Sequence, residues 1–227
     1  MDRQSDVCRE VLVRMRDSGL LDELVLVGSW CLLAYRDYFS AVGVIRTLRT
    51  RDMDFLVPIP SKLRKNVDMK ELLDDLGFVL GHRGSAGYDI LQHPELMVEF
   101  LVPERGRGTA FPVMIPMLGV NAQALRFMDI ALMKIIYVDL HGVNVRVPHP
   151  AAFALHRLLV APRRKKAEGR LRDADIAVHV LDLLLAKGEI LTIRSLHEQF
   201  PKPWRKTIAL ELQACDRRDI ADTLMPF

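Results

Sequence analysis

Two carboxylates stand one residue apart in 49-RTRDMDFLVP-58. If 52-DMDFLV-57 is a strand, its period of two puts Asp52 and Asp54 on the same side, where their charges repel unless a cation lies between them. A second apolar strand, 96-LMVEFLV-102, carries a single charge, Glu99. Three carboxylates on neighbouring strands could converge on divalent cations. An all-oxygen set suits Mg2+ or Mn2+, above all when phosphate completes the coordination shell. The ordinary alternatives are a polar edge strand or turn aspartates for the pair, and a sheet-edge charge or an arginine partner for Glu99.

Upstream lies 27-VGSWC-31. A glycine closing a strand lets the backbone approach a ligand closely, and a following helix start offers unpaired amides and the Ser29 hydroxyl to a phosphate. The stretch matches neither the G-x-x-x-x-G-K-[ST] nor the G-x-G-x-x-G pattern, so a plain turn and N-cap competes with the phosphate reading. Arg46, Arg49 and Arg51 bring positive charge close to the aspartates, either to meet phosphates or to balance Asp52 and Asp54. The one concentrated basic run, 163-RRKKAEGRLR-172, includes Lys166 and has no interleaved aromatics to stack on bases. It suits phosphate contact better than base reading, or else is a solvated loop.

Other chemistries find little support. The seven histidines show no H-x-x-x-H spacing, so zinc is not expected. Cys8, Cys31 and Cys215 lack C-x-x-C spacing and an activating neighbour in sequence, which argues against a disulfide framework and a thiol nucleophile. Trp30 either packs beneath its helix or lines a nucleotide pocket, and Met114, Met117, Met128 and Met133 read as packing material.

The elements that must position these residues alternate in type. A helix over 5–18, a strand over 24–27 and a helix over 30–39 frame the Gly-Ser turn. The strand at 52–57 ends at 58-PIP-60, and a helix is expected over 62–76, stopped by Gly77. Strands over 78–81, 87–91 and 96–102 follow, and the prolines of 111-FPVMIPML-118 confine any strand there to an edge. Residues 121–138 have helical apolar content, but 134–140 could equally pair as a strand with 143–147. Beyond Pro150 the chain reads as helical, over 151–160, 170–187 and 204–214. The fold class is α/β in the broad sense, α+β, with a mixed twisted sheet over 1–118 and a mainly helical region over 119–227.

At 227 residues and 50% hydrophobic the chain can bury a large core, and a net charge of +3 is too small to argue for nucleic acid by itself. Asp129, Lys134 and Asp139 interrupt the most apolar region, so no membrane span is expected, and no early run has the make-up of an export signal. A cytoplasmic protein is the expectation.

Taken in order, Gly28-Ser29 before a helix, Asp52-Met53-Asp54 among apolar residues, and Glu99 in 98-VEFLVP-103 resemble the nucleotidyltransferase superfamily with the polymerase-beta-like fold. The closer likeness is to bacterial nucleotidyltransferases that include relatives of the abortive-infection toxins of type IV toxin-antitoxin systems. The resemblance implies that Gly28 and Ser29 hold the tail of a nucleoside triphosphate (NTP), and that Asp52, Asp54 and Glu99 bind two Mg2+ ions. It extends through 147–181, where Arg157, Arg164, Lys166 and 172-RDAD-175 would belong to the second half of the site. The interval from Ser29 to Asp52 exceeds that of compact members and implies a longer connection through 40–50.

The expected reaction moves a nucleoside monophosphate from the NTP to a hydroxyl acceptor and releases pyrophosphate. RNA is the acceptor encouraged by the basic run, and an antitoxin protein is a partner implied by the resemblance. The alternatives are a non-catalytic nucleotide-binding or protein-interaction module, an antibiotic-modifying nucleotidyltransferase, and a phosphohydrolase using the same acids.

Overall fold

The computed structural model describes residues 3–47, 50–61, 63–84, 87–106, 108 and 111–224. The chain divides into two compact units, Met1–Ala34 with Thr47–Val147, and Tyr35–Arg46 with Pro148–Phe227. The expected change of character at 118/119 falls inside the first unit.

The first unit opens with α1 (Arg3–Asp17), a short 3-10 turn and strand β1 (Val25–Val27), and continues through α2 (Trp30–Ala34). Unit two takes the excursion that contains α3 (Arg36–Phe39), and the first unit resumes before β2 (Asp52–Leu56). Then come α4 (Met69–Leu73), β3 (Val79–Arg83), β4 (Tyr88–Gln92), β5 (Met97–Pro103), β6 (Val113–Ile115), β7 (Val120–Leu125), α5 (Asp129–Leu132), β8 (Ile135–Leu140) and β9 (Val143–Pro148).

The main sheet runs β1-β2-β5-β4-β3. β2 and β5 are parallel, while β1–β2, β4–β5 and β3–β4 are antiparallel, which makes the sheet mixed. β5 is central, and all of it after Met97 is buried, as a strand covered on both faces requires. β4 pairs with its first half and β7 runs parallel to its end, Leu101 to Pro103, while β6 pairs antiparallel with β7.

Alternation along β2 buries Met53 and Phe55 completely and leaves Asp52 and Asp54 half-buried. On the aspartates' face, Val25, Val27, Leu56 and Leu101 pack with Met128 and Ala131 around α5. One sheet face therefore carries carboxylates at one end and apolar packing at the other. Helix α1 fixes the start of both carboxylate strands: the Gln4 amide donates to the carbonyls of Thr50 (2.8 Å) and Glu95 (3.1 Å).

Three expected elements differ in the structure. The helix expected over 62–76 is reduced to α4 and a 3-10 turn, because Asp68 caps at that point, accepting from the amides of Lys70 (2.9 Å) and Glu71 (3.2 Å). Just before it, Val67 N donates to the Met117 carbonyl at 2.9 Å, which holds the chain extended. The helix expected over 30–39 is two short ones broken at Tyr35. The helical content of 121–138 resolves into β7, the single turn α5 and β8, and β8 with β9 forms the strand pair expected as the alternative for 134–147. Pairing with β5 and β6 overrides the helical propensity of Ala122, Gln123, Ala124 and Leu125.

The second unit holds α3, α6 (Pro150–Val160), α7 (Ala167–Ala186), α8 (Ile190–Glu198), α9 (Lys202–Ala214) and α10 (Arg218–Leu224). Tyr35 donates to the Pro148 carbonyl (2.6 Å) and meets Phe153 edge-on at 5.6 Å, so the excursion is stitched to α6. Buried His149 caps α6, accepting from Ala151 N at 3.1 Å. Among the described residues, no helix is long and apolar enough to cross a membrane.

Candidate active site

Parallel pairing of β2 with β5 makes Asp54 and Glu99 direct cross-strand partners, with Asp52 opposite Met97 two residues back. Paired residues share a face, so Asp52, Asp54 and Glu99 stand on one side of the sheet. The antiparallel neighbour places Val27 opposite Asp54, and the chain turns immediately afterwards at Gly28.

Gly28 has φ +71°, in the left-handed region that favours glycine, and a β-carbon added there would stand 2.3 Å from Oδ2 of Asp54. The turn is thus drawn tight against the carboxylate. Ser29 is half-buried in the same turn, and its carbonyl accepts from Leu32 N at 3.1 Å. The following helix α2 has only five residues, so its dipole adds little at this point. Trp30 is buried, with its indole Nε1 lacking a hydrogen-bond partner, and it packs within the core rather than lining an open surface.

A residue not singled out from the sequence completes the arrangement. Arg83, at the end of β3, reaches across β4 and sets its guanidinium between two of the carboxylates, at 2.5 Å from Glu99 Oε1 and 3.3 Å from Asp52 Oδ1. The contact with Asp52 is a hydrogen bond. The one with Glu99 is close in distance but not aligned as a hydrogen bond, so the buried Oε1 has a neighbouring charge without a directed donor. The strand expected over 78–81 runs on to Arg83. Carried two residues further, the alternation puts Arg83 on the face of Gly81, while its register with Glu99 exists only in the folded sheet.

Burial pushes the Glu99 carboxyl above its usual range, Arg83 pulls it down, and the Asp52 charge pushes it up again. Glu99 is 8% exposed, which explains why desolvation leads. The donor set is all oxygen and suits a hard divalent cation. Among the described residues, however, no group of three or more His, Cys, Asp or Glu side chains is disposed to hold a metal ion. The carboxylates share a face, and Arg83 takes up the space between two of them.

Arg49 falls outside the described residues. Arg51 donates to the His93 carbonyl at 2.9 Å. Arg46 belongs to the second unit and pairs there with Asp175 at 3.0 Å. Lys166 is also in the second unit, exposed, where its carbonyl starts α7 by accepting from Gly169 N (3.1 Å) and Arg170 N (3.2 Å).

Much of the basic run is engaged inside that unit. Arg163 donates to the Leu159 carbonyl (2.6 Å), Arg164 pairs with Asp173 (2.5 Å), and Arg170 pairs with Glu211 (2.6 Å). Buried Asp173 also binds Arg157, so the 172-RDAD-175 segment closes an internal charge cluster.

Residues 7–197 match a protein-family model described as Nucleotidyltransferase. A search of curated proteins found no match. Among solved structures, the chain is similar to an antigenic nucleotidyltransferase-like protein from Paracoccidioides brasiliensis, at 13% identity and a TM-score of 0.51 over 99% of this chain and 93% of that one. It is also similar to the antibiotic-resistance factor ANT(2'')-Ia, at 13% identity in each case. The solution structure gives a TM-score of 0.46 over 88% of this chain and 100% of that one. The crystal structure with adenylyl-2''-tobramycin gives 0.48 over 85% and 97%. At such identity the likeness is one of fold.

Proposed function

The chain belongs to the nucleotidyltransferase family and has a polymerase-beta-like architecture, a mixed sheet followed by a largely helical region, and on that premise we propose that it moves a nucleoside monophosphate from an NTP to a hydroxyl acceptor, releasing pyrophosphate. One observation carries the reading. Asp54 and Glu99 are cross-strand partners, Asp52 shares their face, and the Gly28 turn is pressed against Asp54.

Asp52, Asp54 and Glu99 are the residues that would hold Mg2+ or Mn2+. Bound there, the metal would polarise the α-phosphate and make the acceptor hydroxyl more acidic. The chain supplies the rest. Gly28, without a side chain, lets the turn lie directly against Asp54, and the Ser29 hydroxyl donates to the triphosphate tail. The aspartate nearer the acceptor takes the hydroxyl proton as the new P–O bond forms and pyrophosphate departs.

The pairing of Arg163, Arg164 and Arg170 within their own unit leaves the basic run poorly suited as a track for RNA. A small hydroxyl-bearing acceptor is therefore the reading we favour, and the adenylylated tobramycin of the ANT(2'')-Ia crystal names one compound to test. From the resemblance to abortive-infection toxins we further propose a protein partner. Growth arrest on expression, relieved by the product of an adjacent gene, is its expected result, and unimpaired growth contradicts it.

The test incubates the purified protein with Mg2+ and each labelled NTP, together with total RNA, cell protein, tobramycin and other small hydroxyl compounds. Metal-dependent label transfer with pyrophosphate release, abolished in Asp52→Asn and Asp54→Asn, is expected. No transfer across that panel counts against the proposal.

A second reading, a nucleotide-binding module without catalysis, has one observation in its favour: Arg83 offsets part of the charge of Asp52 and Glu99 without any metal. Nucleotide binding undiminished by the same substitutions, with no turnover, would select it.

A further inference from the structure

The position of Arg83 bears on how the carboxylates are kept and released. Its guanidinium meets Asp52 and Glu99 together, yet Arg83 is half-exposed and its contact with Glu99 is not aligned as a hydrogen bond. A Mg2+ ion coordinated by the Glu99 carboxylate needs an oxygen at about 2.0–2.1 Å. That oxygen already has an arginine nitrogen 2.5 Å away. A metal ion entering there meets the guanidinium charge at close range, which weakens its binding. Removing the arginine alone would instead leave Asp52 and the buried Glu99 on one face without that counter-charge, an arrangement that repels itself in a desolvated setting.

We propose that Arg83 is a built-in counter-cation that competes with the divalent metal for Asp52 and Glu99, so that the site accepts metal only as the arginine swings out. This rests on the metal-site reading above. The half-exposed side chain at a strand end, with its planar fork held by contacts of unequal quality, can leave without disturbing the sheet hydrogen bonds that β3 makes with β4. The device offsets part of the negative charge of the acidic face in the resting protein and raises the metal concentration needed to arm it.

The test measures Mn2+ binding by calorimetry, and by the loss of the free-ion signal in electron paramagnetic resonance, for wild type, Arg83→Met and Arg83→Lys in the absence of nucleotide. Circular dichroism and thermal melts with and without Mn2+ accompany it. The proposal expects Arg83→Met to bind Mn2+ about tenfold or more tightly than wild type, to melt lower without metal, and to gain more in Tm from added metal. Arg83→Lys, which keeps the charge but not the fork, should fall between the two.

A purely structural arginine would lose metal affinity together with stability on substitution, so a gain in affinity separates the two roles. Equal or weaker Mn2+ binding by Arg83→Met overturns the competition while leaving the metal site intact. No Mn2+ binding by any of the three proteins overturns both the competition and the metal-site reading.

Discussion

The Gly28 backbone lies so close to Asp54 that an added β-carbon would fall 2.3 Å from the carboxylate Oδ2. A strand of three residues and a strand of five are thereby locked together at the position where the chemistry is proposed.

Gly28→Ala should therefore harm both stability and function. Placing an L-residue at φ +71° costs about 1–2 kcal/mol before the clash is counted. Relief of the clash must displace Asp54, and a misplacement of about 1 Å can cost on the order of 100-fold in rate. Thermal melts and NTP turnover should both fall, whereas Ser29→Ala should melt like wild type and lose only nucleotide affinity. Wild-type turnover in Gly28→Ala would contradict the proposed role of the turn.

Glu99 predicts a pH dependence of stability. Burial raises its folded carboxyl above the ordinary value, so the folded state holds that proton over a window in which the unfolded state has lost it. The contribution of Glu99 to stability thus falls as pH rises from its ordinary value, about 4.5, through the raised folded one, and is constant above. Urea unfolding of EDTA-treated protein should show Glu99→Gln gaining on wild type across that window. Parallel pH profiles for the two proteins would contradict it.

Phe55 and Phe100 are cross-strand partners one residue beyond Asp54 and Glu99, on the opposite face, with ring centroids 6.2 Å apart. Both are essentially fully buried. Phe100→Ala should cost about 3–5 kcal/mol by removing that packing. Denaturant unfolding would measure it, and a loss below about 1 kcal/mol would mean that the strand pair is held mainly by other contacts.

In the second unit, Asp173 is 2% exposed and serves Arg157 and Arg164 together. Asp173→Ala removes the buried carboxylate that Arg157 and Arg164 share and should cost about 3–5 kcal/mol. Lys165→Ala, at an exposed position of the same basic run, should leave unfolding unchanged within about 0.5 kcal/mol.

What was legible in the sequence follows from which forces are local. The period of two in Asp52-Met53-Asp54-Phe55 announced both a strand and a shared carboxylate face, and a glycine closing β1 announced a tight turn. The mixed sheet with a helical continuation was likewise readable from alternating apolar patterns. Non-local pairing was not. Ala122 and Ala124 look helical until β5 and β6 claim them as strand, and Asp68 caps a helix seven residues later than the apolar pattern suggested. Arg83 reaches Glu99 only because β4 lies between their strands, a fact that no spacing along the chain encodes.

The central claim is that Asp52, Asp54 and Glu99 together hold the metal that serves an NTP. A crystal structure with Mn2+ and a nonhydrolysable NTP, with anomalous scattering used to locate the ion, tests it most directly. The account predicts an anomalous peak coordinated by these carboxylates, the triphosphate against Gly28 and Ser29, and Arg83 withdrawn from Glu99. A peak elsewhere, or a triphosphate bound away from Ser29 with Arg83 still between Asp52 and Glu99, would contradict it.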